Sequence, residues 1–435
     1  MINTELKNLV CQTIDNNAEK LIELAKKLDD CPELGYKENK TSNLVSNFFE
    51  ELKIPYKKNL AITGIKAKLK ENCKGPNIAI LGELDAVICP SSSKADPLTG
   101  AAHACGHNLQ LTAMLGAALG LKLSNISDQL HGNVTFMGVP AEEFIEIEYK
   151  QKLHKEGKIH FFGGKQELLY LGEFDDIDIS MMIHSDKNTP ETKVSVGDTS
   201  NGFMAKAIQY IGKTAHAAEA PDEGINALNA AMIGLMGIHA LRETFKDEDH
   251  IRVHPIITKG GDIVNSVPCD VRLETYVRAK NMKAIESTHT KVDNALKAGG
   301  YAIGAETIIN TLPGYLPLNC SKALNNLFID NALSLIPKEK IVSTGHFGAS
   351  TDMGDISHII PTIHPFIGGV DGALHTEKFH VTDYYSACIL PAKLFAMTVI
   401  DLLSNEAQKA NEIKSNFKPL LTKEEYITML ENYFC

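Results

Sequence analysis

Three apolar runs in this chain each stop at residues that carry chemistry. Residues 77–87 contain Ile78, Ala79, Ile80 and Leu81 and then read Gly82-Glu83-Leu84-Asp85. Residues 132–139 end in Pro140-Ala141-Glu142-Glu143, and residues 177–183 end in His184. A nearly continuous apolar run reads as a strand in a sheet covered on both faces, the mostly parallel sheet of an α/β protein. In open α/β sheets, sites gather beyond the carboxyl ends of the strands. Glu83 and Asp85 share one face of an extended chain. They read either as outer partners of ligating histidines or as a solvated loop. Glu142 and Glu143 point apart, so one can meet a cation while the other faces a bound water.

A fourth stretch, 100–115, reads Gly-Ala-Ala-His-Ala-Cys-Gly-His-Asn and runs into an apolar helix at 109–123. Cys105 and His107 are two positions apart, so an extended segment points both the same way. Gly106 between them frees the backbone. A thiolate beside an imidazole is a ligand pair for a borderline-soft divalent cation. A buried cysteine beside a hydrogen-bonded histidine is the alternative. Glu143, His184 and His375 offer further ligands. Their spread from Cys105 to His375 suits an open cleft, whereas a structural zinc site draws four ligands from near in sequence.

The chain has 435 residues, more than one ordinary core holds, so two domains are expected. The middle reads strand 202–211, helix 224–243, strand 251–259, strand 269–279, helix 281–298 and strand 301–312. That βαββαβ order is the ferredoxin-like split unit, a small α+β domain. It divides the chain into a discontinuous domain, 1–197 with 314–435, and an inserted domain, 198–313. The insert carries His216, Asn265 and Arg278, which together suit gripping an anionic substrate and stabilising an oxyanion. Singly, each reads as a surface polar residue. Elsewhere the pattern predicts one or two helices at 4–28, a helix at 40–52 and a strand at 62–69. A charged helical segment follows at 144–165. A helix at 323–335, a loop at 343–355, a short strand at 359–367, a core helix at 383–403 and a polar helical tail complete the chain.

The formal net charge of −11 argues against a nucleic-acid partner. Nine cysteines without paired spacing argue against structural disulfides, and no signal or transit peptide is visible, which places the chain in a reducing cytoplasm. The apolar run 388–403 is interrupted by Pro391 and Lys393, so it reads as a buried helix and no membrane partner is expected.

Taken together, the motifs resemble the M20 family of metallopeptidases and amidohydrolases, in its aminoacylase-like D branch. They are Pro32-Glu33-Leu34-Gly35 with Lys40-Thr41-Ser42, residues 82–86, residues 103–107 and residues 140–143. His184, residues 212–216, Asn265 with Pro268, and residues 375–379 continue them in family order. Within that branch the chain is most similar to the dipeptidase and p-aminobenzoyl-glutamate hydrolase group. The resemblance implies a zinc-exopeptidase-like catalytic domain with an inserted lid and dimerisation domain, hence a homodimer. It implies two divalent metal ions held by Cys105, His107, Glu143, His184 and His375, with Glu142 as general base. Asp85 would orient a ligand from behind, His216 would polarise the carbonyl, often in the partner's site, and Asn265 and Arg278 would hold the substrate. The thiolate favours zinc, and manganese, nickel or cobalt fit the same ligands. The implied reaction is hydrolysis of the amide bond of a small N-acyl amino acid, dipeptide or aminobenzoyl-glutamate-like substrate. The rival reading is a catalytically silent binding or regulatory protein on the same scaffold. A lost base or ligand would mark it, and every one is present. Two departures from the family pattern stand out: residues 144–149 replace a glycine-rich segment, and Gln110 stands where many relatives have His.

Overall fold

The computed structural model describes residues 2–71 and 73–433. Strands Asn77–Glu83 and Asn133–Val139 are buried at every position, as their apolar composition requires. They are the centre of a six-stranded sheet in the order Tyr56–Leu60, Gly64–Lys68, Asn133–Val139, Asn77–Glu83, Ile179–Met181, Thr362–Ile363. The last four run parallel, and the first two add an antiparallel hairpin at one edge.

Helix His107–Leu123 packs on this sheet and is buried from its first residue through Leu121. Two small residues let other helices close over it. A Cβ on Gly116 would stand 2.8 Å from the Ala392 side chain, and one on Gly120 would stand 2.5 Å from Ile14. Those neighbours belong to helices Leu390–Leu403 and Ile2–Asn16. Leu390–Leu403, entered through a π-turn at Tyr385–Ile389, is buried along its whole length. Pro391 lies in its first turn, where a missing N–H costs nothing, so it does not interrupt the helix.

By its contacts the chain forms two units. One comprises 1–198, 319–346 and 355–422; the other comprises 199–318, 347–354 and 423–435. The second contains an antiparallel sheet in the order Arg252–Val253, Asp270–Ala279, Gly202–Ile211, Glu306–Pro313, with Ile256–Lys259 also paired to Asp270–Ala279. Helices Ala227–Leu241 and Met282–Ile303 complete the ferredoxin-like order. This unit is larger than the expected 198–313 because later residues join it. Arg278 Nη1 donates to Ser350 Oγ at 2.9 Å, Asn201 Nδ2 donates to the Gly348 carbonyl at 3.1 Å, and Tyr433 packs on its core.

Several local expectations differ from the structure. The strand expected at 251–259 is two strands, Arg252–Val253 and Ile256–Lys259, and helix Met282–Ile303 takes the first residues of the strand expected at 301–312, which starts at Glu306. The segment expected as a loop at 343–355 begins with strand Ile341–Phe347, and Met353–Ser357 is a short helix. The segment 144–165 is not one charged helix. It is helix Ile147–Lys155, an irregular stretch and the start of helix Gly164–Tyr170, with Lys150, Phe161, Phe162 and Lys165 buried. The strand expected at 359–367 splits between two sheets as Thr362–Ile363 and Phe366–Ile367. Eight cysteines are unpaired, and Cys435 lies outside the described residues.

Candidate metal centre

Gly106 shapes the site. Its φ of +86° is left-handed, and it stands immediately before helix His107–Leu123. Cys105 and His107 are therefore not neighbours on an extended strand, as their spacing suggested. A left-handed turn separates the end of a loop from the first residue of a helix. A Cβ on Gly106 would come 2.3 Å from Ser185 Oγ, so only glycine lets the turn press against His184–Ser185. That approach puts Cys105 Sγ 3.3 Å from His184 Nε2. From the other side His375, itself left-handed at φ +63°, donates its backbone N–H to the Ala104 carbonyl at 2.8 Å. Its Nε2 lies 3.2 Å from Cys105 Sγ and 3.1 Å from Glu143 Oε1.

Three groups of possible ligands result; two contain the expected ligands, Cys105 with His107 and His184, and Cys105 with Glu143 and His375, and the third is Glu83 with His107 and Glu142. Within each, one donor atom per residue lies within 4.8 Å of the others. All five expected ligands thus converge, and the Cys105 sulfur is common to the first two groups.

The surrounding carboxylates fix this set. Nδ1–H of His107 donates to the Asp85 carbonyl at 2.8 Å, with Asp85 Oδ1 at 3.3 Å, which leaves Nε2 of His107 free to ligate. Nδ1–H of His184 likewise donates to the Ser185 carbonyl at 2.8 Å. Asp85 Oδ2 accepts the backbone N–H of Glu143 at 2.8 Å. Glu142 Oε2 stands 4.0 Å from His107 Nε2. Glu83, which the sequence left between outer partner and loop, is wholly buried with Oε2 3.1 Å from His107 Nε2. Lys165 was not singled out in the sequence at all. It is also wholly buried and donates to Glu83 Oε1 at 2.6 Å. Gln110 accepts the Glu83 backbone N–H at 3.2 Å. Lys150, equally unforeseen, donates to the Glu143 carbonyl at 2.7 Å.

The electrostatics favour anionic ligands. Burial opposes ionisation of Cys105, but the His184 and His107 rings outweigh it and bring the thiol down to about 6. Burial also opposes the Glu143 and Glu83 carboxylates. His375 overrides it at Glu143, and Lys165 with His107 overrides it at Glu83, so both fall to about 2. The Glu143 carboxylate raises His375 to about 11, against its burial. These anions demand positive charge among them. His107 Nε2, Glu83 Oε2 and Glu143 Oε1 are buried with no hydrogen bond of good geometry, meeting the opposite charges of one another and of His375 at 3.1 Å. A thiolate, imidazoles and carboxylates with such orphaned atoms fit divalent cations.

The other three expected residues lie in the second unit and do not form one cluster. His216 is exposed, with Nδ1 accepting the backbone N–H groups of Glu219 at 3.0 Å and Ala218 at 3.3 Å. Asn265 is on the adjoining loop, where its carbonyl accepts the Ala217 N–H at 2.9 Å. Arg278 is held apart. Its guanidinium lies over the Phe203 and Tyr276 rings, at 5.1 and 5.2 Å, and donates to His254 Nε2 at 3.1 Å and to Ser350. Strand Asp270–Ala279 begins five residues after Asn265, and Arg278 sits eight residues further along it, about 27 Å at the rise of an extended strand. The joint grip expected of His216, Asn265 and Arg278 is therefore not made within one copy of this unit.

A model of peptidase family M20/M25/M40 matches residues 79–396. The Xaa-Arg dipeptidase of Mus musculus is 31% identical over 445 residues, covering 97% of this chain and 94% of that protein. One polypeptide of the Escherichia coli (strain K12) p-aminobenzoyl-glutamate hydrolase is 26% identical over 338 residues, 76% of this chain and 64% of its own length. Among solved structures, a Bacillus subtilis dinuclear metal binding peptidase from the M20 family superposes with a TM-score of 0.65 at 21% identity, over 88% of this chain and 98% of that one. An aminobenzoyl-glutamate utilization protein from Klebsiella pneumoniae gives 0.65 at 17% identity, over 90% and 97%. The two structural likenesses bear on the fold.

Proposed function

Because the chain belongs to peptidase family M20/M25/M40 and is an amide-bond hydrolase, we propose that it cleaves a small dipeptide or N-acyl amino acid with the help of two divalent cations. The observation that carries this reading is the Cys105 sulfur, 3.3 Å and 3.2 Å from two histidines drawn from distant parts of the chain. Cys105, His107 and His184 would hold one cation, and Cys105, Glu143 and His375 the other. When bound, such cations supply Lewis acidity toward a water and the substrate carbonyl. Zinc suits the thiolate best.

The chain's own residues do the rest. Glu142, beside the five expected ligands, takes the proton of the attacking water and returns it to the leaving nitrogen. The Asp85 backbone carbonyl holds His107 in the tautomer that presents Nε2, and the Asp85 carboxylate Oδ2 holds the backbone of Glu143. His216 and Asn265 meet the substrate carbonyl, and Arg278 meets its carboxylate. The separation of Arg278 from His216 supports a homodimer in which one substrate takes the two from different copies. Helix Ala227–Leu241 leaves Met232, Ile233 and Met236 exposed at 55%, 42% and 67%, an apolar face that supports such pairing. The unpaired cysteines support a reducing compartment such as the cytoplasm.

The test is turnover by zinc- and manganese-loaded protein on Xaa-Arg dipeptides, N-acetyl amino acids and p-aminobenzoyl-glutamate. Hydrolysis of at least one class is expected. Glu142→Ala is expected to keep its cations and lose that activity. A wild-type rate in that variant would remove Glu142 from the role of base.

A further inference from the structure

The turn 32–38 begins with the motif Pro32-Glu33-Leu34-Gly35 of the sequence, yet nothing in the chemistry above uses it. It touches the site at two places. The Glu33 backbone carbonyl accepts the N–H of Ala86, next to Asp85, at 2.7 Å. Glu38 is wholly buried, with Oε1 accepting the backbone N–H of Ala141 at 2.8 Å and Oε2 accepting the Thr63 hydroxyl at 2.6 Å. The turn is itself fixed, because Glu33 Oε2 accepts the N–H groups of Lys40 and Thr41 at 2.8 and 2.9 Å at the start of helix Asn39–Glu51.

Ala141 is the residue before Glu142, and it has φ of +50°, a left-handed backbone that a side chain disfavours. Such a conformation persists only where its surroundings over-determine it. They do so here from two sides. A Cβ on Gly35 would stand 2.9 Å from Ala141 Cα, and one on Gly164 would stand 1.6 Å from the Pro140 carbonyl oxygen. The Ala141 N–H itself is taken by the Glu38 carboxylate. Beyond the base, Asp85 Oδ2 holds the N–H of Glu143. The Glu142–Glu143 peptide is thus tied to the Asp85 carboxylate, and the Pro140–Ala141 peptide, one residue further back, to the Glu38 carboxylate, while the Ala141 carbonyl between them accepts the Gly164 N–H at 3.3 Å; together they set where the Glu142 Cα–Cβ bond points.

We propose that Glu38 is a positioning residue for Glu142: by holding the Ala141 N–H it fixes the left-handed turn that aims the general base. The inference rests on the reading of Glu142 as base. Glu38 touches neither a candidate ligand nor the substrate, so it acts on the proton-transfer step and not on cation or substrate binding. Burial, with the Asp85 charge, pushes the Glu38 carboxyl up to about 7, so the bond from the Ala141 N–H rests on a well-placed acceptor oxygen and not on a fixed charge.

The experiment compares Glu38→Ala, Glu38→Gln and Gly35→Ala in zinc-loaded protein, reading kcat, KM, bound zinc and thermal midpoint. Glu38→Ala is expected to keep its zinc and hold KM within about twofold while kcat falls about 10- to 100-fold, the usual result of misplacing a reacting group. Glu38→Gln retains an oxygen for the Ala141 N–H and is expected to recover most of the rate. Gly35→Ala presses on Ala141 without removing the carboxylate, and the same kcat-selective loss is expected, so the proposal stays testable if Glu38→Ala fails to fold. In a Glu142→Ala background, Glu38→Ala is expected to lower the residual rate no further. A wild-type kcat in Glu38→Ala, or a loss that merely follows lost zinc, overturns the proposal. A loss that persists undiminished in the Glu142→Ala background overturns the positioning role alone, whereas a wild-type rate in Glu142→Ala itself overturns the base reading beneath it.

Discussion

The two units carry their candidate residues in opposite ways. In the first, Cys105, His107, Glu83, Asp85 and Lys165 are buried, and each is held by at least one of the others, with His375 the exposed member of the candidate ligand set. In the second, His216 and Asn265 are exposed on adjoining loops, and Arg278 lies flat on two rings at the other end of a strand. The difference separates two tasks. Holding cations and aiming a base requires fixed charges in a medium of low dielectric, where each orphaned atom is costly. Recognising a substrate requires groups that stay free until another surface arrives. The first region should therefore lose cations or stability when altered, and the second should lose turnover alone.

The largest expected effect tests the shared sulfur. Cys105→Ala should drop bound zinc below one equivalent and lower the rate about a thousandfold or more, since a cation supplies several kcal/mol to the transition state. Metal analysis beside rate measurements checks it, and two retained equivalents would show that Cys105 is not common to both groups. Next, His216→Ala should lower kcat about 100- to 1000-fold, as loss of an oxyanion donor does, with zinc content unchanged. Mixing that variant with Glu142→Ala should restore activity if His216 serves the partner's site, because the mixed dimer then contains one intact site.

A third variant weighs burial. Lys165→Met strands the Glu83 carboxylate and should cost about 3–5 kcal/mol of stability in denaturant unfolding of the zinc-free protein. Adding Glu83→Gln should recover most of it. The pair also fixes the sign of an acid effect. Glu83 falls from 4.5 to about 2 on folding, because Lys165 and His107 outweigh its burial. Its contribution to stability is then full above pH 4.5 and disappears as the pH falls toward 2. Lys165→Met should blunt that acid-side loss. The smallest expected effect is the control in the second region, where Asn265→Ala should change stability by less than about 0.5 kcal/mol, as exposed substitutions do. A larger change would mean that this loop is structurally bound and the contrast between the regions is overstated.

Much of the site could be read from sequence because strand ends mark it. The apolar runs before Glu83, Glu142 and His184 are strands, and the insert follows the expected order, with the expected strand 251–259 divided into Arg252–Val253 and Ile256–Lys259. The geometry between Cys105 and His107 could not be read, since a glycine permits either an extended chain or a left-handed turn and the packing of Ser185 decides. Lys165 and Glu38 escaped for a different reason. A charged residue is assigned to the surface by its type, and it is buried only when a partner waits. Those partners are Glu83, 82 positions away, and the backbone of Ala141, 103 positions away. The strand at Ile341–Phe347 was hidden by its glycine, serine and threonine, which read as loop. The isolation of Arg278 was open to inspection, because a strand of ten residues puts its two ends far apart.

Helix Leu390–Leu403 lies against helix His107–Leu123, which in turn accepts Ile14 at Gly120. The ribosome therefore delivers the amino-terminal helices long before the segment that seals them, with most of the second unit emerging in between. For most of synthesis the nascent chain carries an unsealed apolar layer, the condition under which chaperones engage growing polypeptides. A premature stop codon ahead of Leu390 leaves that layer open for good and yields a product fit for degradation.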